Sequence, residues 1–150
     1  MVYRILEKFT QMTTSGKCYL VNIDSRNKKN ENPQILRILL SRQYTQIDFG
    51  YTAPWIYEHG GWIDISPDTY IQVKGNVKKY SLKEAQNIPL APNRLNFKST
   101  QDWQVFSLFF EPIPLNDCTI NLIEKEKPSS NDFNFYNIKL KDVVQTEVLM

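Results

Sequence analysis

The sequence predicts an all-β domain, an antiparallel sandwich or barrel of about seven to nine short strands. Three observations predict it. Apolar and polar residues alternate with a period close to two over most of the chain beyond Gln34. Aromatic residues reach 13%, and large rings suit the pleated surface of a strand. Turn residues recur at near-regular short intervals, and no segment carries a helical pattern three turns long.

A chain of 150 residues is one ordinary domain, able to bury a core without disulfides or metals. Its 41% hydrophobic and 23% charged residues are the usual globular balance. Eighteen Lys and Arg against sixteen Asp and Glu leave a net charge of +2, too small a bias to argue for nucleic acid or an anionic membrane as partner. No run of about 18 apolar residues is present, so no membrane-spanning helix is expected. The segment Met1 to Gln11 lacks the apolar block and small-residue cleavage site of a signal peptide. As written the chain reads as cytoplasmic, and as exported if a signal has been removed from its start. Cys18 and Cys118 make no disulfide framework and read as free buried thiols.

Along the chain, Val2 to Thr10 fits an amphipathic helix or a strand, whereas Lys17 to Ile23 favours a strand. Ser25 to Pro33 is polar, charged and closed by proline, which marks a linker. The expected division is therefore an N-terminal extension over residues 1–33, packing on a body over residues 34–150. In the body, the run Ile35 to Leu40 is apolar on almost both faces. Tyr44 to Thr52 follows with Thr45, Ile47, Phe49 and Tyr51 on one side and Gln46, Asp48 and Gly50 on the other, a hairpin partner through Ser41 to Gln43. Ala53 to Gly61 breaks the pattern, and Trp62 to Ile65 resumes it.

Tyr70 to Lys74 and Val77 to Leu82 predict a second hairpin about Gly75 and Asn76. Ser81 and Glu84 have capping-box spacing, which predicts a helical turn over Leu82 to Gln86 before Pro89 and Pro92. Leu95 and Phe97 begin another strand, and Trp103 to Phe110 is the most apolar window, the expected centre of a sheet with both faces largely covered. Pro112 and Pro114 end it, because proline has no amide to give a ladder. Thr119 to Glu124 and Phe133 to Leu140 complete the body around the loop Lys125 to Asp132, with Asn134, Tyr136, Ile138 and Leu140 expected on one face. The tail from Val143 reads as a final strand or a frayed end.

The features WIDIS at Trp62 to Ser66, Tyr70 with Lys79 to Leu82, FSLFFEPIP at Phe106 to Pro114, INLIE at Ile120 to Glu124 and FNFYNI at Phe133 to Ile138 carry a likeness. Together they make the body from Gln34 to Leu140 resemble bacterial immunoglobulin-like β-sandwich modules of unassigned function. The resemblance implies an immunoglobulin-like antiparallel β-sandwich with an N-terminal extension, and it implies no activity. Residues 1–33 and the insert around Trp55 to Gly60 stand outside the shared pattern, and the disulfide and core-tryptophan spacing of antibody domains is absent.

No catalytic, metal-ligating or cofactor-binding set is expected. His59 is the single histidine, the cysteines form no C-x-x-C pair, and neither a Walker loop nor G-x-G-x-x-G occurs. A pair of acids performs glycoside hydrolysis, but Asp48, Glu58, Asp64, Asp68, Glu111 and Glu124 are not brought together by sequence spacing, and Asp64 and Asp68 read as turn acids rather than calcium ligands. Lys74, Lys78, Lys79 and Lys83 beside Tyr70 and Tyr80 read as protection of a sheet edge rather than a nucleic-acid surface.

The most distinctive segment is Tyr51 to Trp62. Tyr51 and Trp62 are expected in the core, and Trp55, Tyr57, Glu58 and His59 are the candidate binding residues, since stiff exposed rings give contact area at low entropic cost. The expected function is a non-enzymatic module that binds a protein partner through this aromatic loop or a strand edge. Carbohydrate binding by exposed Trp and Tyr is the alternative, and a hydrolase with a carboxylate pair is the third.

Overall fold

Alternation turns into burial most plainly at Thr45–Thr52, where Thr45, Ile47, Phe49 and Tyr51 are buried and Gln46, Gly50 and Thr52 are not. The computed structural model describes residues 15–20, 33–52, 61–97, 103–116, 118–128, 132–140 and 144–149. Every element among them is a strand: β1 (Ser15–Leu20), β2 (Gln34–Leu40), β3 (Thr45–Thr52), β4 (Trp62–Ile63), β5 (Tyr70–Val73), β6 (Tyr80–Gln86), β7 (Leu95–Asn96), β8 (Trp103–Phe110), β9 (Thr119–Ile123), β10 (Phe135–Lys139) and β11 (Val144–Leu149). The class is all-β, as the period of two predicts.

Nine strands form one antiparallel sheet in the order β10-β9-β5-β6-β8-β3-β2-β1-β11, and β4 and β7 form a separate two-stranded ribbon. The corner of the large sheet is β6. Tyr80 and Ser81 pair with Ile71 and Tyr70 of β5, whereas Leu82 to Gln86 pair with Phe110 to Ser107 of β8, with a register shift between Leu82 and Glu84. A bulge bends its strand and raises the local twist, so one strand serves two limbs. The limbs curl over a common core. Phe49 of β3 stacks on Phe106 at 5.0 Å and also meets Phe135 of β10 at 5.9 Å, although four strands separate β3 from β10 in the sheet order. Tyr51 likewise meets Phe133 at 5.8 Å. Ile38, Leu40, Ile47, Leu108, Phe110, Ile71, Ile120 and Leu122 fill the same core, each stabilising the fold by about 1.5–3 kcal/mol through burial.

Several sequence expectations meet a different outcome. Leu82 to Gln86 is not a helical turn: it is the second half of β6, where Leu82 and Ala85 pack on the core and pairing to β8 outweighs a local cap. The second hairpin resumes at Tyr80 rather than Val77, which is exposed; its turn is closed by the Asn76 N–H donating to Val73 C=O, with Gly75 at φ 87. In β10 the left-handed Asn137 (φ 56) shifts the register, so Phe135 is buried before it and Ile138 and Leu140 after it, while Tyr136 points out.

Trp62 is not a core residue. In the short ribbon Ile63 takes the inward position, so its neighbour faces out and is 46% exposed. Tyr51 is buried as expected. β1, taken from the leader, lies between β2 and β11 with Tyr19 fully buried, and residues 21–32, which hold most of the expected linker, lie outside the described residues. Cys18 is buried and Cys118 half-buried, and the two are not bridged by a disulfide. Burial pushes the Cys18 thiol above its usual range, with Asp48 adding to the rise and Arg37 opposing it.

Candidate functional site

The outer face of the sheet is built around Gly50 of β3. Its partner across the ladder is Val105 of β8, and next to that pair Thr52 faces Trp103. A bulge in β2 between Ile35 and Arg37 adds one residue to that strand, and the added Leu36 reaches the same place. A Cβ on Gly50 would sit 3.5 Å from Leu36 Cδ1 and 3.7 Å from the Trp103 ring. The missing side chain therefore leaves a shallow notch between them. Trp103 is 63% exposed and Val105 42% exposed, so the patch is apolar and open to solvent. The expectation that both faces of this strand are covered fails here: only Phe106, Leu108 and Phe110 turn inward. Trp103 and Val105 alternate with the inward row of Phe106, Leu108 and Phe110, so stepping back from Phe106 by one and by three finds the outward row, and Gly50 in the outward row of β3 is the second signal.

Beside the patch lies a fixed polar group. Asp48 accepts from Arg37 Nε at 2.7 Å, from Gln46 Nε2 at 2.9 Å and from the Ser107 hydroxyl at 2.6 Å. Its side chain is largely covered while that of Arg37 is 44% exposed, so the network presents guanidinium rather than carboxylate to solvent.

A second outward aromatic is Trp62, with the Arg94 guanidinium 3.8 Å above its ring. Asp64 follows in sequence; burial pushes its carboxyl above the usual range, Arg94 and Lys125 pull it down, and Asp132 pushes it up. Glu124 is buried, and its carboxylate accepts the backbone N–H groups of Ser66 and Phe133, both at 2.8 Å. Burial nonetheless raises its carboxyl above the usual range; those two hydrogen bonds oppose the rise, and Asp132 and Asp64 reinforce it. Asp48 and Glu124 are thus engaged in holding strands and turns together.

The lysines of the β5–β6 hairpin lie against rings and acids. Lys78 sits over Tyr80 at 4.6 Å, Lys79 over Tyr70 at 4.8 Å and on Glu126 at 2.6 Å, and Lys83 is 3.5 Å from Glu111. Trp55, Tyr57, Glu58 and His59 all lie in residues 53–60, outside the described residues; the chain enters that segment from Thr52, the cross-strand neighbour of Trp103. Among the described residues no group of three or more His, Cys, Asp or Glu could hold a metal ion, and no helix is long and apolar enough to cross a membrane. Comparison with protein-family models, with curated proteins and with solved structures finds no match to this chain.

Proposed function

We propose that this chain is a non-enzymatic binding module of the immunoglobulin-like kind, and that it engages a protein partner presenting apolar side chains to the Leu36, Gly50, Trp103 and Val105 patch. One observation carries the reading: a 63%-exposed tryptophan and a 42%-exposed valine lie together over a side-chain-free notch on a rigid sheet, where an apolar group from a partner removes water from both rings and aliphatic carbons. The adjoining Arg37 to Asp48 network supplies a polar rim that needs no reordering on binding. Trp55, Tyr57, Glu58 and His59, which follow Thr52 in the chain, belong to the binding set in this reading.

The test is an affinity capture from host lysate with the wild type and a Trp103→Ala/Val105→Ser double variant of unchanged circular dichroism. A stoichiometric protein retained by the wild type, and bound at least about 10-fold more weakly by the variant when both components are purified, supports the reading. Equal affinity for both baits refutes it.

Carbohydrate binding is the second reading, favoured by the outward Trp62 with Asn96 across the ribbon and Asp64 two residues on in the chain. Arg94 already stacks on that ring, so a sugar would have to use its other face. Quenching of tryptophan fluorescence by a purified glycan, lost in Trp62→Ala, would favour this reading over the first.

A further inference from the structure

The two outermost strands of the large sheet are built differently. At one end the ladder of β10 is interrupted between Phe135 and Ile138, with Asn137 in the left-handed region, which blunts the edge against further pairing. At the other end β11 runs in unbroken register on β1, from Leu20 opposite Val144 to Ser15 opposite Leu149. Among the described residues no strand pairs with its other side. A regular edge of this kind presents a row of backbone donors and acceptors to any added strand.

The order of residues in β11 selects the added strand. In an antiparallel ladder, directly opposed residues either both turn their backbone groups toward each other or both turn them away. A strand therefore pairs with its own copy only about a two-fold axis that passes through a residue, never between two. With the axis at Glu147, two carboxylates face each other, which is destabilising. With the axis at Thr146, that threonine faces its own copy, Gln145 faces Glu147 of the second copy and Val144 faces Val148 of the second copy. Read antiparallel, Val144-Gln145-Thr146-Glu147-Val148 is self-complementary: like apolar residues meet, an amide meets the carboxylate, and no like charges meet.

We propose that β11 pairs antiparallel with β11 of a second copy of this chain about a two-fold axis at Thr146, joining the two sheets edge to edge. The partner and the surface are distinct from those of the proposed function, and the pairing does not depend on it.

The test is the mass of the full chain in solution by sedimentation equilibrium over a wide concentration range. The wild type is expected to pass from the mass of one chain to twice that mass. Thr146→Lys and Thr146→Glu, each checked to be folded by circular dichroism, are each expected to keep the one-chain mass, because like charges then meet on the axis. Their equimolar mixture is expected to recover the doubled mass. Gln145→Lys, which faces Glu147 of the second copy twice in each dimer, is expected to tighten association about threefold or more. A wild type that stays at the one-chain mass overturns the proposal. So does a doubled mass that persists in either Thr146 variant alone, since association would then run through another surface.

Discussion

Glu124 and Ser66 stand 58 positions apart in the chain, yet the Glu124 carboxylate accepts the Ser66 amide N–H at 2.8 Å. Its second oxygen accepts the Phe133 amide, and Asn134 returns the contact by accepting the Glu124 and Lys125 amides on its side-chain oxygen. One buried acid thus joins the turn before β5, the end of β9 and the approach to β10, and it holds Phe133 against Tyr51 and Phe106 in the core.

Removing that acid is expected to cost much of the stability of a domain this size. Glu124→Ala leaves two amides without acceptors and should destabilise by about 3 kcal/mol, while Glu124→Gln, which keeps one acceptor and turns an amino group toward the other donor, should cost about half as much. Urea unfolding with an unchanged slope measures both. Equal stability of Glu124→Ala and wild type would show that the clasp contributes nothing.

The same residue sets a direction with pH. Its carboxyl titrates above the usual glutamate range in the folded chain, so between the unfolded and folded values the native state keeps a proton that the unfolded state has released. Unfolding free energy contributed by Glu124 is then fully present below the unfolded value and falls as pH rises through the folded one. Asp64 shifts the same way and adds to the trend. The advantage of wild type over Glu124→Gln should be largest in acid and shrink toward neutrality, read from urea midpoints at a series of pH values; an advantage that grows with pH would reverse the assignment.

Asp48 should matter more than the arginine it pairs with. Asp48→Ala strips the acceptor from three donors and should cost about 2–3 kcal/mol, whereas Arg37→Ala leaves Asp48 still bonded to Gln46 and Ser107, and should cost about 1 kcal/mol because the guanidinium is partly solvated. Comparing the two single variants by thermal unfolding checks the order, which would be inverted if the arginine acted mainly by packing.

The curl of the sheet rests on rings that meet across it. Phe49→Ala removes the stack on Phe106 and the contact to Phe135, and should cost about 3–5 kcal/mol. In a double-mutant cycle Phe49 and Phe135 should couple by about 0.5–1.5 kcal/mol. Additivity of the two changes would mean that β3 and β10 do not close on one another.

Much of the strand pattern is legible in the sequence because burial on a strand repeats every two residues. Thr45, Ile47, Phe49 and Tyr51 announce their face without knowledge of any neighbour, and Ser41 to Gln43 announces the turn before them. Where a local signal competed with pairing, the sequence misled: the capping-box spacing of Ser81 and Glu84 yields to the ladder with β8. The candidate surface was legible only in part. Gly50 and Val105 were visible as outward or ambiguous positions, but Trp103 in an apolar window reads as core until its neighbours are known.

What the sequence by itself determined is the all-β class, most strand positions and the inward faces, since these depend on local period and turn chemistry. Only the tertiary structure decided that β6 divides between two limbs, that Phe49 reaches Phe135, that Glu124 holds three distant segments and that Trp62 and Trp103 face outward. Each of these depends on which strand lies beside which. Hydrogen-bonded pairing is set by the free energy of the whole sheet and not by any window of residues.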